Sequence, residues 1–296
     1  MKEKSFSGSG ALFALIAAAG LGAVTTQAKI VYADGGNALT MMLWRFVIST
    51  VVIGVIVLAR KQQFGIDQQH KRPAFMLGLI WSGSMICYLM SVETISVSLA
   101  VLILYSYPLL VMLASLATGK MRLTYSVIGA FTLAFVGIGL MLGGGDIRIH
   151  PLGIGLAVLA ASGAAYTFLK GSQVAPHLDP LVLTFWINLV GVFMILPLVL
   201  GQFSMPRSVL GLWCLGGATL CYVVAIVAQF GALARMAAAK AAFIFNFEPV
   251  VSILLAVLIL SESLSGIQWT GAAVVVSVLF LFGFLDNASS KRSDTI

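Results

Sequence analysis

Apolar residues occur in ten runs of about 20 residues, the length that a helix needs to cross the hydrocarbon core of a bilayer. Short polar connectors separate the runs, and two of them, 34–37 and 176–179, are typical of tight helical hairpins. The longest connector, 60–73, is too short for a soluble catalytic domain. The pattern predicts an all-α membrane protein with ten spans, at roughly 10–33, 38–59, 74–93, 96–118, 123–143, 151–173, 180–201, 208–231, 239–261 and 265–285.

The first apolar run follows Lys2 and Lys4, as the hydrophobic part of a signal peptide would. It continues through Gln27 and Lys29, however, without a convincing small-x-small cleavage site. The run also has a counterpart later in the chain. We therefore expect it to remain in the protein as a membrane span.

Composition supports a polytopic membrane protein and argues against other classes. The chain is 60% hydrophobic and 9% charged, whereas soluble domains carry about 25% charged residues. The net charge of +7 does not indicate nucleic-acid binding, because the basic residues lie in connectors and form no cluster on one face. Cys87, Cys214 and Cys221 lack metal-type spacing, and no Ser-His-Asp or His-Glu-x-x-His pattern occurs. We therefore expect no catalytic residues, no metal and no cofactor.

The basic residues also predict how the chain is oriented in the membrane. With the N-terminus in the cytoplasm, 13 lysines and arginines fall on the cytoplasmic side, and only Lys29, Arg148 and Arg207 fall outside. Cytoplasmic connectors of membrane proteins carry such an excess. The sequence thus predicts that both termini are cytoplasmic, with connectors 33–37 and 143–150 outside. The compact loops suit a multi-pass protein of the bacterial cytoplasmic (inner) membrane.

An internal repeat appears when the chain is shifted by 141 to 142 residues. Trp44 then aligns with Trp186, and Pro108 with Pro249, while segment 103–108 aligns with 244–249. Each half contains five predicted spans, so the second half enters the membrane with the opposite orientation. Many secondary transporters build alternating access on such inverted repeats, with a substrate site near the middle of the membrane.

Several short motifs stand in a characteristic order along the chain. They are Trp44-Arg45-Phe46, the Tyr-Pro pair of span four, Phe247-Glu248-Pro249-Val250, Leu260-Ser261-Glu262-Ser263-Leu264 and Gly271-Ala272. Together they resemble the motifs of the drug/metabolite transporter superfamily, specifically of proteins with two EamA-type domains. The resemblance covers about residues 9–286, with repeats at 9–145 and 150–286 followed by a short cytoplasmic tail, 287–296, and it implies a ten-helix carrier of small metabolites. The sequence departs from it at Gly119-Lys120-Met121, where such domains commonly carry an acidic residue.

Glu248 is a carboxylate near the centre of an apolar span and is followed at once by Pro249. An ionisable residue at this depth is costly unless it faces a cavity, the bundle interior or a partner. Two interpretations remain open, a structural role between helices and a direct role with substrate or protons. Glu93 and Glu262 fall at the outer ends of spans, where solvated caps are expected.

Arg45 lies about seven residues into span two, roughly 10 Å deep at 1.5 Å per residue. It either extends toward the outer interface or bonds backbone carbonyls, or it binds a substrate carboxylate through its planar guanidinium. Because Glu248 lies at a different depth, a direct ion pair between the two is not assumed.

Aromatic and amide residues near the helix-breaking prolines complete a predicted amphiphilic pocket, a few polar groups in an apolar lining. Pro108 and Pro249 are the predicted hinges, and Glu248 is assigned a coupling or structural role. The predicted substrate-binding residues are Trp44, Arg45, Tyr88, Tyr105, Tyr107, Tyr166, Trp186, Asn188, Tyr222, Gln229, Asn246 and Phe247.

These features favour a secondary transporter that exports amino acids or related metabolites and drugs by alternating access. Export is an analogy to the family, and uptake of a vitamin or nucleoside-like metabolite is the alternative. A lipid-modifying intramembrane enzyme or a non-transporting scaffold is the alternative of another class. The predicted partners are a small-molecule substrate, the lipid bilayer and protons, with no nucleic acid, and the oligomeric state is left open.

Overall fold

The computed structural model describes residues 8–119, 124–143 and 149–293, with side chains up to residue 281. These residues form ten helices, two of them interrupted and therefore given as segments a and b. Two short 3₁₀ turns, Ala175–His177 and Phe245–Phe247, follow α6 and α9a. The helices are α1 Gly8–Ala33, α2 Ala38–Ala59, α3 Gln68–Thr94, α4a Val97–Leu104, α4b Tyr107–Ala117, α5 Tyr125–Leu142, α6 Pro151–Val174, α7 Pro180–Val199, α8 Val209–Arg235, α9a Ala238–Ile244, α9b Glu248–Leu260 and α10 Gly266–Ser293.

The predicted fold class is confirmed. Within the described residues, nine helices are long and apolar enough to cross a membrane, and Gly266–Leu281 supplies a further apolar stretch. α10 runs on to Ser293, beyond the predicted span end at 285, and α3 begins at Gln68 rather than at 74. Both extensions are polar, so hydropathy did not mark them. The predicted orientation also counts Lys120, Arg122 and Arg148, which lie outside the described residues. So do Gly144 and Gly145 of the predicted outer connector 143–150.

Helices α4 and α9 are interrupted at matching positions. The break in α4 falls at Tyr105 and Ser106, and Pro108 is the second residue of α4b. The break in α9 is the 3₁₀ turn Phe245–Phe247, and Pro249 is the second residue of α9b. Proline lacks the backbone N–H and is tolerated in the first turn of a helix, where that donor has no intrahelical partner. The prolines therefore begin a new helical segment in the middle of each span.

Helix packing follows a two-fold pattern that relates the repeats. α1 packs on α8 as α6 packs on α3, and α1 packs on α9b as α6 packs on α4. α2 and α7 pack on each other, and so do α5 and α10. An odd number of helices per repeat inverts the second half, so an axis in the membrane plane relates the two halves.

The two repeats also hold their connectors in the same way at opposite faces. The Trp44 indole N–H donates to the Met205 sulfur at 3.1 Å, and the Trp186 indole N–H donates to the Phe64 carbonyl at 2.9 Å. The alignment of the two repeats pairs Trp44 with Trp186, 142 residues later, and Phe64 with Met205, 141 residues later. We call two residues aligned in this way repeat mates. Following the predicted orientation, we call the face of the α1–α2 and α7–α8 connectors the outer face and the opposite face the inner face.

Hydrogen bonds join the two connectors of the outer face. Asp34 accepts from the backbone N–H and the hydroxyl of Ser208 at 2.7 and 2.8 Å. The Ser204 hydroxyl donates to the Gly35 carbonyl at 2.6 Å, and Asn37 donates to the Gln202 carbonyl. The bonds from Ser208 lower the pKa of the Asp34 carboxyl, because they stabilise its charged form.

Glu262, for which the sequence predicts a solvated cap, is exposed at the outer face and also pairs with another helix. Its carboxylate forms a salt bridge with Lys29 at 2.8 Å and so links α1 to the end of α9b. The two side chains are 54% and 43% exposed, and exposed pairs contribute only about 0–1 kcal/mol. Glu262 lies too far from Lys29 in sequence for the spacing to indicate the contact.

Close contact between α1 and α9b depends on a glycine. A Cβ on Gly22 would lie 2.7 Å from the Glu248 carbonyl oxygen and 3.0 Å from the Ser252 backbone nitrogen. The neighbouring Thr26 hydroxyl donates to the Ser252 carbonyl at 3.2 Å. Small residues permit this approach of two backbones, which is a common basis of helix association in membranes.

We expect Gly22→Ala to destabilise the protein by about 1–3 kcal/mol, because overpacking forces backbone shifts. Gly155→Ala, also within a helix but with no atom within 4 Å of an added Cβ, is the control and is expected to be neutral or slightly stabilising. Thermal unfolding in detergent measures both. Equal stability of the two variants would contradict the packing argument.

Candidate functional site

The interrupted helices bring a set of polar side chains to the centre of the bundle. We call these the central cluster, and its members interact electrostatically or through ring contacts. It contains Arg45, Tyr88, Tyr105, Tyr107, Tyr222 and Glu248.

Arg45 lies over an aromatic ring rather than against a carboxylate. Its guanidinium carbon is 4.6 Å from the centre of the Tyr222 ring, a cation–π geometry. Tyr222 is fully buried and held on two sides, since its hydroxyl accepts from the Trp81 indole N–H at 3.3 Å and Phe46 meets its ring edge-on at 6.2 Å. The buried Nε of Arg45 has no hydrogen-bond partner, so one donor of a fixed cation is available to a ligand.

Glu248 begins α9b on the other side of the cluster. Glu248 is half-buried, and its carboxyl lies within electrostatic reach of the Tyr105 hydroxyl and of Arg45. Tyr107 and Tyr88 also lie within electrostatic reach of this carboxyl. No salt bridge joins Glu248 to Arg45 in the part of the chain that the structure describes. The site therefore offers separated positive and negative groups between tyrosine rings.

An aromatic layer lies on the inner side of Glu248. It consists of Tyr107, Phe131, Phe168, Phe243 and Phe245. Ring centres are 5.1 Å apart for Tyr107 and Phe168, 4.9 Å for Phe168 and Phe245 and 4.8 Å for Phe131 and Phe243. These buried rings come from four helices and fill the bundle between the central cluster and the inner face.

The inner and outer halves of the interrupted helices differ in their packing. The inner segments α4b and α9a pack against each other, and α9a is almost wholly buried. The outer segments α4a and α9b make at most marginal contact. The interrupted helices are thus in contact through their inner segments and not through their outer segments, which is the arrangement of an outward-facing conformation.

Several predicted site residues are not members of this cluster. Trp44 and Trp186 bind connectors near opposite faces, and Tyr166 is 37% exposed on α6. Asn188 and Gln229 are fully buried. Asn246, also buried, donates to the Phe243 carbonyl at 2.9 Å within the break of α9. Phe247 is half-buried in the same turn.

Two residues of the site were not predicted. Tyr32, 44% exposed near the outer end of α1, interacts electrostatically with Arg45 and Tyr88. Trp81 donates to Tyr222 and is its repeat mate, 141 residues earlier. The repeat register thus contained a signal for Trp81, whereas nothing in the sequence distinguished Tyr32 from an interfacial tyrosine.

The fold and the central cluster define a polytopic membrane transporter with two inverted repeats. Residues 8–143 and 151–284 each match the EamA-like transporter family, and the chain belongs to that family, whose members are secondary transporters of metabolites. A solved structure described only as the crystal structure of a protein has the same fold, with a TM-score of 0.81, 17% identity, and coverage of 96% of this chain and 100% of the other. No curated protein matches the chain.

Proposed function

We propose that the protein exports amino acids or related zwitterionic metabolites by alternating access, with Arg45 binding the carboxylate and Glu248 lying near the ammonium group. The observation that carries this proposal is the separation of the two opposite charges. Arg45 keeps an unpartnered buried Nε above the Tyr222 ring, while Glu248 lies across the cluster within electrostatic reach of Tyr105. A zwitterion neutralises both groups at once, and the tyrosines provide an apolar wall with polar tips.

The packing supports a movement of two helix groups. Gly22 and Thr26 hold α1 to α9b, and Gly20 holds α1 to α8. In the other repeat, the Ser84 hydroxyl donates to the Ala160 carbonyl at 2.5 Å and joins α3 to α6. Rocking of α1, α8 and α9 against α3, α4 and α6 would separate the inner segments and bring the outer segments together.

A flux measurement with purified protein in liposomes tests the proposed substrate class. Counterflow is measured with pooled amino acids, vitamins and cationic drugs, with and without a proton gradient. Saturable counterflow of amino acids, competed by zwitterions but not by their amides or esters, is the expected result. Counterflow of vitamins alone would favour the uptake carrier, and no flux of any pool would favour a scaffold.

Localisation in a bacterial cytoplasmic membrane with both termini inside is part of the proposal. A reporter active only in the periplasm is expected to be active when fused after Asp146 and silent when fused after Gln68. The reverse pattern would refute the orientation, and with it the names of the two faces.

A further inference from the structure

Gln229 on α8 is buried without any partner for its amide. Its side chain is fully buried, and both Oε1 and Nε2 lack a hydrogen bond. By contrast, the buried amides of Asn188 and Asn246 each donate one bond to a backbone carbonyl. A buried polar group without a partner destabilises the conformation that contains it, so this position requires an explanation.

The alignment of the two repeats supplies an explanation for the unpartnered amide of Gln229. Gln229 is the repeat mate of Tyr88, and the same shift of 141 residues relates Tyr222 to Trp81, which are in direct contact. Tyr88 is half-buried near the outer end of α3, within electrostatic reach of Glu248 and Tyr32. Gln229 occupies the corresponding position on the closed, inner side.

Inverted repeats relate the two end states of a transporter. When one half adopts the conformation of the other, each residue takes the surroundings of its mate. In the inward-open state Gln229 would therefore take the half-buried position that Tyr88 has in this structure, now toward the inner face, and Tyr88 would become enclosed. The amide of Gln229 then lacks a hydrogen-bond partner only in the outward-facing state.

We propose that Gln229 is a substrate-binding residue of the inward-open state, where its amide hydrogen-bonds the polar end of a zwitterionic substrate. The identity of the ligand rests on the proposed function, whereas the exposure of Gln229 does not. Because a buried amide without a partner destabilises the outward-facing state, Gln229 also shifts the equilibrium toward the inward-open state.

Thiol labelling tests the exposure in a background with Cys87, Cys214 and Cys221 replaced by alanine. We expect a membrane-impermeant maleimide to modify Gln229→Cys from the inner face at least tenfold faster than Ala228→Cys, a buried neighbour on another side of α8. Tyr88→Cys is expected to be modified from the outer face. Equal labelling of the Gln229 and Ala228 variants would overturn the proposal.

Gln229→Leu gives an independent measurement on the full chain. Leucine has a similar size and no amide, so the outward-facing state is expected to become more stable to heat and the transport rate to fall at least fivefold. A transport rate equal to that of the wild type, or lower thermal stability, would contradict the role. If no amino acid is transported while Gln229→Cys is still labelled from the inner face, the substrate proposal fails and the exposure of Gln229 stands.

Discussion

Arg45→Lys is expected to fold normally and to transport substrate at least tenfold more slowly than the wild type. Lysine preserves the charge, but it lacks the planar fork that binds a carboxylate through two parallel bonds and stacks on an aromatic ring. In the structure the guanidinium lies 4.6 Å from the centre of the Tyr222 ring, and its Nε is free of protein partners. Hydrogen bonds to charged groups contribute about 1.5–3 kcal/mol, which corresponds to roughly 10- to 150-fold in rate.

Arg235→Lys provides the matched control for this substitution. Arg235 also lies over an aromatic ring, 4.5 Å from the centre of Phe13, and donates to the Gly231 carbonyl at 2.8 Å, but it is at the inner end of α8. We expect it to transport at the wild-type rate in liposomes. Wild-type transport by Arg45→Lys would show that a simple cation is sufficient and would refute the carboxylate-binding role.

Glu248→Gln is expected to fold and to lose its response to a pH gradient, while it retains substrate exchange with weaker binding, because the amide oxygen still accepts a hydrogen bond from the substrate ammonium group. Coupling to protons requires a group that binds a proton in one state and releases it in the other. Glu248 fits this requirement because it lies at the break of α9, between the closed inner segments and the separated outer segments. Each unit of pH gradient supplies about 1.36 kcal/mol per proton, and glutamine keeps the size and hydrogen bonding without the titration.

The control for the coupling experiment is Glu262→Gln. Glu262 is exposed and paired with Lys29 at the outer face, so its loss is expected to leave gradient-driven transport unchanged. The measurement compares exchange and gradient-driven accumulation in the same liposome preparations. Gradient-driven accumulation by Glu248→Gln at the wild-type level, or failure of this variant to fold, would assign Glu248 a structural role.

The sequence was sufficient for features that depend on local chemistry. Ten apolar runs predicted the helices because spanning segments must satisfy their backbone hydrogen bonds internally. Pro108 and Pro249 predicted the interruptions because proline begins a helical segment but does not continue one. The shifted alignment predicted the inverted repeats, since five spans per half leave no other orientation.

Which side chains face the site depends on the rotation of each helix about its own axis, and apolar runs do not specify this rotation. Spans of nearly uniform hydrophobicity show no polar face, so Tyr166 and Trp186 could not be distinguished from Tyr105 and Tyr222. Trp186 instead binds the Phe64 carbonyl at a connector. Tyr32 comes within electrostatic reach of the central cluster through the packing of α1, which hydropathy does not encode.

The aromatic layer has an electrical consequence. Because rings from four helices fill the bundle between Glu248 and the inner face, part of the membrane voltage falls across them. A charge that passes from Glu248 to the inner face crosses that part of the potential, whose full value is worth about 2.3 kcal/mol per elementary charge at 100 mV. A neutral zwitterion passes this layer without electrical work, whereas a proton carried with it makes the cycle voltage-dependent.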